Sequence, residues 1–317
     1  MKASKPYILN VNGRLLSLDK PLVMGILNAT PDSFYAASRT FPADRENYPA
    51  DRENNPADRE NYSADRKNYS ADSFQWPQKE GQPVEEALRA RVRQIKEEGA
   101  ALIDVGACST RPHSTPCSAA EEMERLATAL RIVREEAPGL PVSVDTFRAD
   151  VARFAVEEGG ATLINDISGG LLDPQMHRTV SRLGVPYILP HWQEEPYPDD
   201  TPAHVLQHLA VQAQHLRDLG QCDIIADPGF GFGKTLAQNY ALMRQLAAFR
   251  QLDLPLLVGI SRKSMIYQLT GGTPDTALPA TSALHLYALQ QGAHILRVHD
   301  VRAAIDIIRI HSQLNPV

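Results

Sequence analysis

Asn28, Asp104, Asp145, Asn165 with Asp166, His191, Asp227, Ser261 with Arg262 and Lys263, and Arg297 with His299 share a position: each closes a short apolar run at its C-terminal end. One aspartate so placed is usually a helix cap or a turn residue. The same placement after eight successive runs points instead to a common site. Amides and carboxylates can read the hydrogen-bonding edge of a flat polar ring, while Lys, Arg and His can hold a phosphate-type anion. A site with both sets suits a small molecule that carries both groups.

The elements that must bring these residues together follow from the pattern around them. The apolar runs are "LVMGILN" (22–28), "LIDVG" (102–106), "PVSVD" (141–145), "TLINDIS" (162–168), "PYILPH" (186–191), "DIIADPG" (223–229), "LLVGIS" (256–261) and "HILRVH" (294–299). Between them, apolar residues recur at three and four over 83–98, 119–136, 148–158, 174–183, 202–219, 236–249, 276–291 and 301–313, the spacing of a helix with one buried face. Eight strands, each followed by a helix, is the count of a (β/α)8 TIM barrel, whose chemistry sits where the strands end. Strands buried on both faces read as continuously apolar, as these do. An open doubly wound sheet is the other architecture considered, and it usually has fewer strands. "YILNVNGRLLSL" alternates and carries Asn12-Gly13, so an N-terminal β-hairpin plugging the barrel bottom is expected.

The 317 residues with 43% apolar content suffice for a single large domain. No apolar run approaches the ~18 residues of a membrane span, and the first twenty residues lack the apolar stretch of a signal peptide. Net charge of −6 without a basic stripe argues against a nucleic-acid partner. Cys108, Cys117 and Cys222 are odd in number and lack zinc-type spacing, which reads as reduced thiols in a cytoplasmic protein. Residues 42 to 72, "PADRENYPADRENNPADRENYSADRKNYSAD", repeat every seven residues. Each unit carries one Ala and at most one Tyr, and three open with Pro, so the segment cannot form a coiled-coil seam. It reads as a disordered, low-complexity insert after the first barrel strand.

Two other motifs are weaker than they look. "GFGFGKT" (229–235) resembles a phosphate-binding P-loop, but that pattern needs Gly where Pro228 stands. It is better read as a Gly-rich turn that lets backbone and Phe232 approach a ligand. Ser118 with Glu121 is a capping box. His177, His204, His208, His215, His285 and His311 fall on helical stretches and are expected at the surface, without a role.

Taken in order, "MGILNATPDSF", "STRP", "VSVDTFRADVARFAVEEGGATLINDISGG", "DPGFGFGKT", "VGISRKS" and "ILRVHDV" resemble the motifs of the dihydropteroate synthase family, over nearly the whole chain from residue 20 to 310. The resemblance implies condensation of 6-hydroxymethyl-7,8-dihydropterin diphosphate with 4-aminobenzoate, with release of pyrophosphate, Mg²⁺ as cofactor, a homodimer and inhibition by sulfonamides. It implies that Asp227, Asn165 and Asp145 read the pterin edge and Lys263 its carbonyl side. Asn28 through Mg²⁺, Arg297 and His299 are implied to stabilise the departing pyrophosphate. Ser261 would meet the aminobenzoate carboxylate, and Thr110, Arg111, Pro112 and Phe232 would shape its pocket. The repeat then lengthens a loop that closes over the pterin. Departures are "YAAS" after "DSF", His113 after Pro112, and Pro190 in the pterin pocket. A pterin-dependent methyltransferase and a binding-only paralogue are the competing functions.

Overall fold

The computed structural model describes residues 7–30, 84–108, 116–194 and 201–315. The repeat and Thr110, Arg111 and Pro112 lie outside the described residues. Strands β1 (Ile8–Val11) and β2 (Arg14–Ser17) form an antiparallel hairpin. Asn12 and Gly13 turn it at φ 54° and 78°, the positive pair that a tight I′-type hairpin requires.

Eight parallel strands follow: β3 (Leu22–Asn28), β4 (Leu102–Gly106), β5 (Val142–Asp145), β6 (Leu163–Asn165), β7 (Tyr187–Pro190), β8 (Ile224–Asp227), β9 (Leu257–Val258) and β10 (Ile295–Val298). They are ordered β8-β7-β6-β5-β4-β3-β10-β9. A parallel bridge from Ala226 to Leu256 joins the two ends of this order, supported by the Ala226 N–H donating to the Pro255 carbonyl at 2.9 Å. The sheet is therefore the expected (β/α)8 barrel. Around it lie α1 (Val84–Glu97), α2 (Ala119–Glu136), α3 (Ala149–Glu157), α4 (Met176–Leu183), α5 (Thr201–Asp218), α6 (Leu236–Arg244), α7 (Ser264–Thr270), α8 (Leu278–Gln290) and α9 (Val301–Leu314). Among the described residues no helix is long and apolar enough to cross a membrane.

Two departures from the expected helices have local causes. The 236–249 stretch splits at Gln245, whose backbone leaves the helix at φ −102°, ψ 15°, and it continues as a 3₁₀ turn over Leu246–Leu252. Helix α7 was not expected after the seventh barrel strand. Its seven residues are too short to display a periodic face, and Gly271 in the left-handed conformation ends it.

Leu9, Val11 and Leu18 of the hairpin segment pack with Met24, Leu102, Leu163, Ile188, Ile225, Leu257 and Ile295, which come from seven of the eight barrel strands. The hairpin thus plugs the barrel bottom. A larger cluster fills the layer between strands and helices.

The expectation that the helical histidines are surface residues fails for His177 and His285, both buried. His177 lies against the α4 entry turn, its Nε2 2.9 Å from the Gly169 carbonyl. On α8, burial holds the His285 imidazole down at about 4 from its ordinary 6.5. The unfolded chain takes up a proton below 6.5 and the folded chain only below about 4, so stability is complete above 6.5 and declines as pH falls through that interval. The difference corresponds to about 3 kcal/mol at most. His285→Leu should flatten the decline of the urea midpoint between pH 6.5 and 4, and an unchanged decline would assign it to other groups.

Candidate active site

Five of the residues expected at the strand ends, Asp145, Asn165, Asp227, Lys263 and Arg297, line one cleft together with Phe232 of the Gly-rich turn. Ile167, Pro190 and Gly259 complete it, and its volume is about 420 Å³ with the solvent at its mouth included. Strand register explains the convergence. Asn28 is level with Gly106, Gly106 with Asp145, and Asp145 with Asn165, while Pro190 is level with Asp227. Residues separated by more than a hundred positions are thereby placed on one rim.

Arg297 is held between two carboxylates. Its Nε donates to Asp104 Oδ2 at 2.6 Å and an Nη to Asp145 Oδ2 at 2.8 Å. The same Asp104 oxygen accepts from Asn165 Nδ2 at 3.0 Å, and Asp104 is fully buried. One carboxylate under the cleft floor therefore sets the orientation of both a ring-reading amide and the guanidinium. Asp104 is a positioning residue, which the sequence places at the rim without naming its partners. Its signal was a lone charge inside "LIDVG", a place where an unpaired carboxylate is too costly to occur.

Asp227 ends β8 and accepts the Gly229 N–H at 2.8 Å on one oxygen. Burial pushes its carboxyl above the usual range, opposed by Lys263, by that backbone bond, and by Arg297 and Lys234. A donor pair arriving from a ligand would favour the ionised form. Beyond it the Gly-rich turn doubles back so tightly that a side-chain carbon at Gly229 would collide with the His191 carbonyl. Lys234 stitches the turn from inside, donating to the carbonyls of Gly229 at 2.6 Å, Phe232 at 3.2 Å and His191 at 3.4 Å. Burial brings its amine down to about 7. The P-loop reading fails on this geometry as it does on spacing, because the lysine points at carbonyl oxygens of its own turn. What the turn presents is Phe232, with the Lys263 ammonium 4.5 Å from its ring centre. Lys263 also donates to the Phe230 carbonyl at 2.6 Å.

The remaining strand-end residues have other places. Ser261 and His299 are buried behind the rim as a pair, the Ser261 oxygen 3.1 Å from both the His299 N–H and its Nδ1. Neither is among the residues lining the cleft. Arg262, at φ 56°, makes a two-pronged ion pair with Asp300 at 2.7 and 2.6 Å, locking the loop after β9 to the loop after β10. Asp166 accepts from Ser168 N and Oγ, Gly170 N and Tyr187 Oη, so it shapes its own turn. His191 is wholly buried, and burial, with Lys234 beside it, drives its imidazole down to about 2.

A hard cation needs oxygen donors, and Mg²⁺ typically takes one or two from protein with the rest from phosphate and water. The Asn28 Oδ1 and Asp145 Oδ2 lie 3.8 and 3.9 Å from the point that a side-chain carbon on Gly106 would occupy. Glycine thus leaves an oxygen-lined notch at the rim. Asp145 Oδ2 already meets Arg297, so Asn28 is the protein donor that fits.

Sequence and fold comparisons agree with this geometry. Residues 64–299 match the model of the family described as pterin binding enzyme. A dihydropteroate synthase of Streptococcus pyogenes is 35% identical over 296 residues, covering 92% of this chain and 95% of that protein. The dihydropteroate synthase of Escherichia coli strain K12 is 38% identical over 221 residues, 67% of this chain and 77% of its own length. Among solved structures, Xanthomonas albilineans dihydropteroate synthase with 4-aminobenzoic acid superposes with a TM-score of 0.80 at 33% identity, covering 99% of this chain and 100% of that one. The same bacterium's enzyme in complex with 7,8-dihydropteroate gives 0.78 at 32% identity, covering 98% of this chain and 100% of the other. With a family model spanning most of the barrel and a relative matched almost end to end, this chain belongs to the pterin-binding enzyme family, among its dihydropteroate synthases.

Proposed function

We propose that the chain condenses 6-hydroxymethyl-7,8-dihydropterin diphosphate with 4-aminobenzoate to form 7,8-dihydropteroate and pyrophosphate. The observation that carries this reading is the union, in one cleft, of Asp145, Asn165 and Asp227 with Lys263 and Arg297. Asp227 accepts two N–H groups of the pterin, a pairing in which a carboxylate is matched to adjacent donors. Asn165 and Asp145 take the remaining ring edge, and Lys263 the carbonyl side. The pterin C–O bond breaks as charge gathers on the leaving diphosphate. Arg297, pre-set by Asp104 and Asp145, meets that charge without reorganisation, which is how fixed cations lower such a barrier. His299, oriented by Ser261, serves the same group. Asn28 would hold Mg²⁺ at that end of the cleft, where the ion would supply further positive charge. The amine of 4-aminobenzoate is already nucleophilic and needs no strong base. Its carboxylate meets the Ser261 side, and Phe232 with Thr110, Arg111 and Pro112 forms its pocket.

Purified protein given the diphosphate, Mg²⁺ and 4-aminobenzoate should release pyrophosphate and form dihydropteroate in equal amounts. A binding-only paralogue would give heat on adding the diphosphate and no product. The same reading places the protein in the cytoplasm as a homodimer open to sulfonamide inhibition, which sedimentation and a sulfonamide titration of the product assay would check.

The repeat at 42–72 offers successive near-identical polar units, which cannot supply the different contacts that a folded lid needs. Lengthening a loop costs only about 0.6 kcal/mol per doubling. Removing residues 49–62, two whole units, should therefore leave the melting temperature and pterin affinity almost unchanged and alter turnover modestly. Deleting "PDSFYAA" should abolish condensation while pterin binding survives. Equal loss in both deletions would make the repeat part of the machinery.

A further inference from the structure

Cys108, just beyond β4, and Cys117, one residue before the Ser118 cap of α2, face each other with Glu122 in a cluster whose sulfur and carboxylate atoms all lie within 4.8 Å. Both thiols are free and half-buried, whereas Cys222 is exposed and stands apart from this cluster. Their surroundings differ. Arg148 reaches Cys108 Sγ with an Nη at 3.8 Å and also pairs with the buried Glu122. Cys117 is directed at the Ala107 carbonyl at 3.9 Å, and burial together with the neighbouring Cys108 pushes its thiol up to about 12. The guanidinium beside the Cys108 sulfur opposes a bound cation, so the three-ligand cluster is better suited to thiol chemistry than to a metal.

We propose that Cys108 and Cys117 are a redox-active dithiol in which Cys108 attacks first and Cys117 resolves. The oxidant is a low-molecular-weight disulfide. The Cys108 sulfur attacks one of its sulfurs, breaking that S–S bond and releasing one small thiol. Cys117 then attacks Cys108 in the mixed disulfide and releases the second. Two electrons pass from the protein to the oxidant, and the two cysteine protons end on the released thiols. The new bond closes a ring over residues 108 to 117, which holds Thr110, Arg111 and Pro112. Resting on the reading that these three shape the 4-aminobenzoate pocket, the disulfide alters the KM for 4-aminobenzoate and not the KM for the pterin diphosphate.

Full-length protein is equilibrated with oxidised and reduced glutathione at graded ratios, quenched by alkylation, and its peptides are weighed. The expected result is an internal disulfide between Cys108 and Cys117 with Cys222 still alkylatable or carrying glutathione. Cys117→Ser should accumulate glutathione on Cys108, and Cys108→Ser should react at Cys117 more slowly, because burial holds the Cys117 thiol protonated. Modification confined to Cys222, or equal rates at both cluster thiols, overturns the proposal. So does one equivalent of Zn²⁺ bound by the reduced protein through these cysteines with no disulfide formed. A disulfide that forms and leaves both KM values unchanged upholds the dithiol and removes the aminobenzoate role from the loop.

Discussion

Asp227→Ala should weaken binding of the pterin diphosphate by two to four powers of ten, with pyrophosphate release falling in step. The carboxylate is asked to accept two N–H donors from a ligand edge in a buried place, and a hydrogen bond to a charged group contributes about 1.5–3 kcal/mol. Losing two such bonds amounts to roughly 3–6 kcal/mol. Asp227→Asn keeps the shape and opposes an N–H to an N–H, so it should be no better than alanine. The fold should survive, because among the described residues the hydrogen bond to that side chain comes from the Gly229 N–H of its own turn. Titration calorimetry with the diphosphate, beside a melting curve, separates the outcomes. Affinity within threefold of wild type, or pyrophosphate release unaffected, would remove Asp227 from the pterin site. Because burial already raises this carboxyl, pterin affinity should also decline as pH falls toward its titration, and Asp227→Asn should abolish that dependence.

Arg297→Ala is expected to lower kcat by 10² to 10³ while the pterin Kd changes severalfold at most. Its guanidinium meets charge that exists mainly in the transition state, and one such pre-set donor contributes about 3–4 kcal/mol. The geometry adds a second consequence. Removing the cation breaks the ion pairs to the buried Asp104 and to Asp145 at 2.6 and 2.8 Å, leaving Asp104 its bond from Asn165, and breaking a buried pair by removing one partner costs about 3–5 kcal/mol of stability. Arg297→Ala combined with Asp104→Asn should recover much of the melting temperature and none of the turnover. Single-turnover rates at saturating substrate, measured on folded protein, decide the matter. A variant with near wild-type turnover and weak substrate binding would assign Arg297 to ground-state recognition.

Much of this site was legible because strand ends are legible. A β-branched run that stops at a polar residue announces both the strand and its rim, and five residues named on that basis line the cleft. What the pattern cannot express is which rim charge answers which. Arg297 and Asp104 are 193 positions apart, and nothing in either neighbourhood marks them as partners. Arg262 illustrates the same gap, since its place beside Ser261 and Lys263 suggests a substrate cation, yet Asp300 claims it. His177 and His285 were misplaced because helical periodicity tolerates a histidine on either face. Short α7 escaped because a seven-residue helix has no second turn-pair to reveal its period.

The hairpin plug has a consequence for how the chain comes to be folded. Leu9 and Val11 leave the ribosome long before Ile225 and Ile295, with which they pack and which follow Leu9 by 216 and 286 positions (225 − 9 and 295 − 9). At about 5–20 residues per second, the last of these partners emerges roughly 15 to 60 s after the hairpin. Throughout that interval the barrel has no floor and the plug has no seat, and contacts of such sequence span make for slow closure. The nascent chain must therefore keep the apolar face of this hairpin in waiting. Moving that segment to the C-terminus by circular permutation would let the plug arrive when its socket is already built.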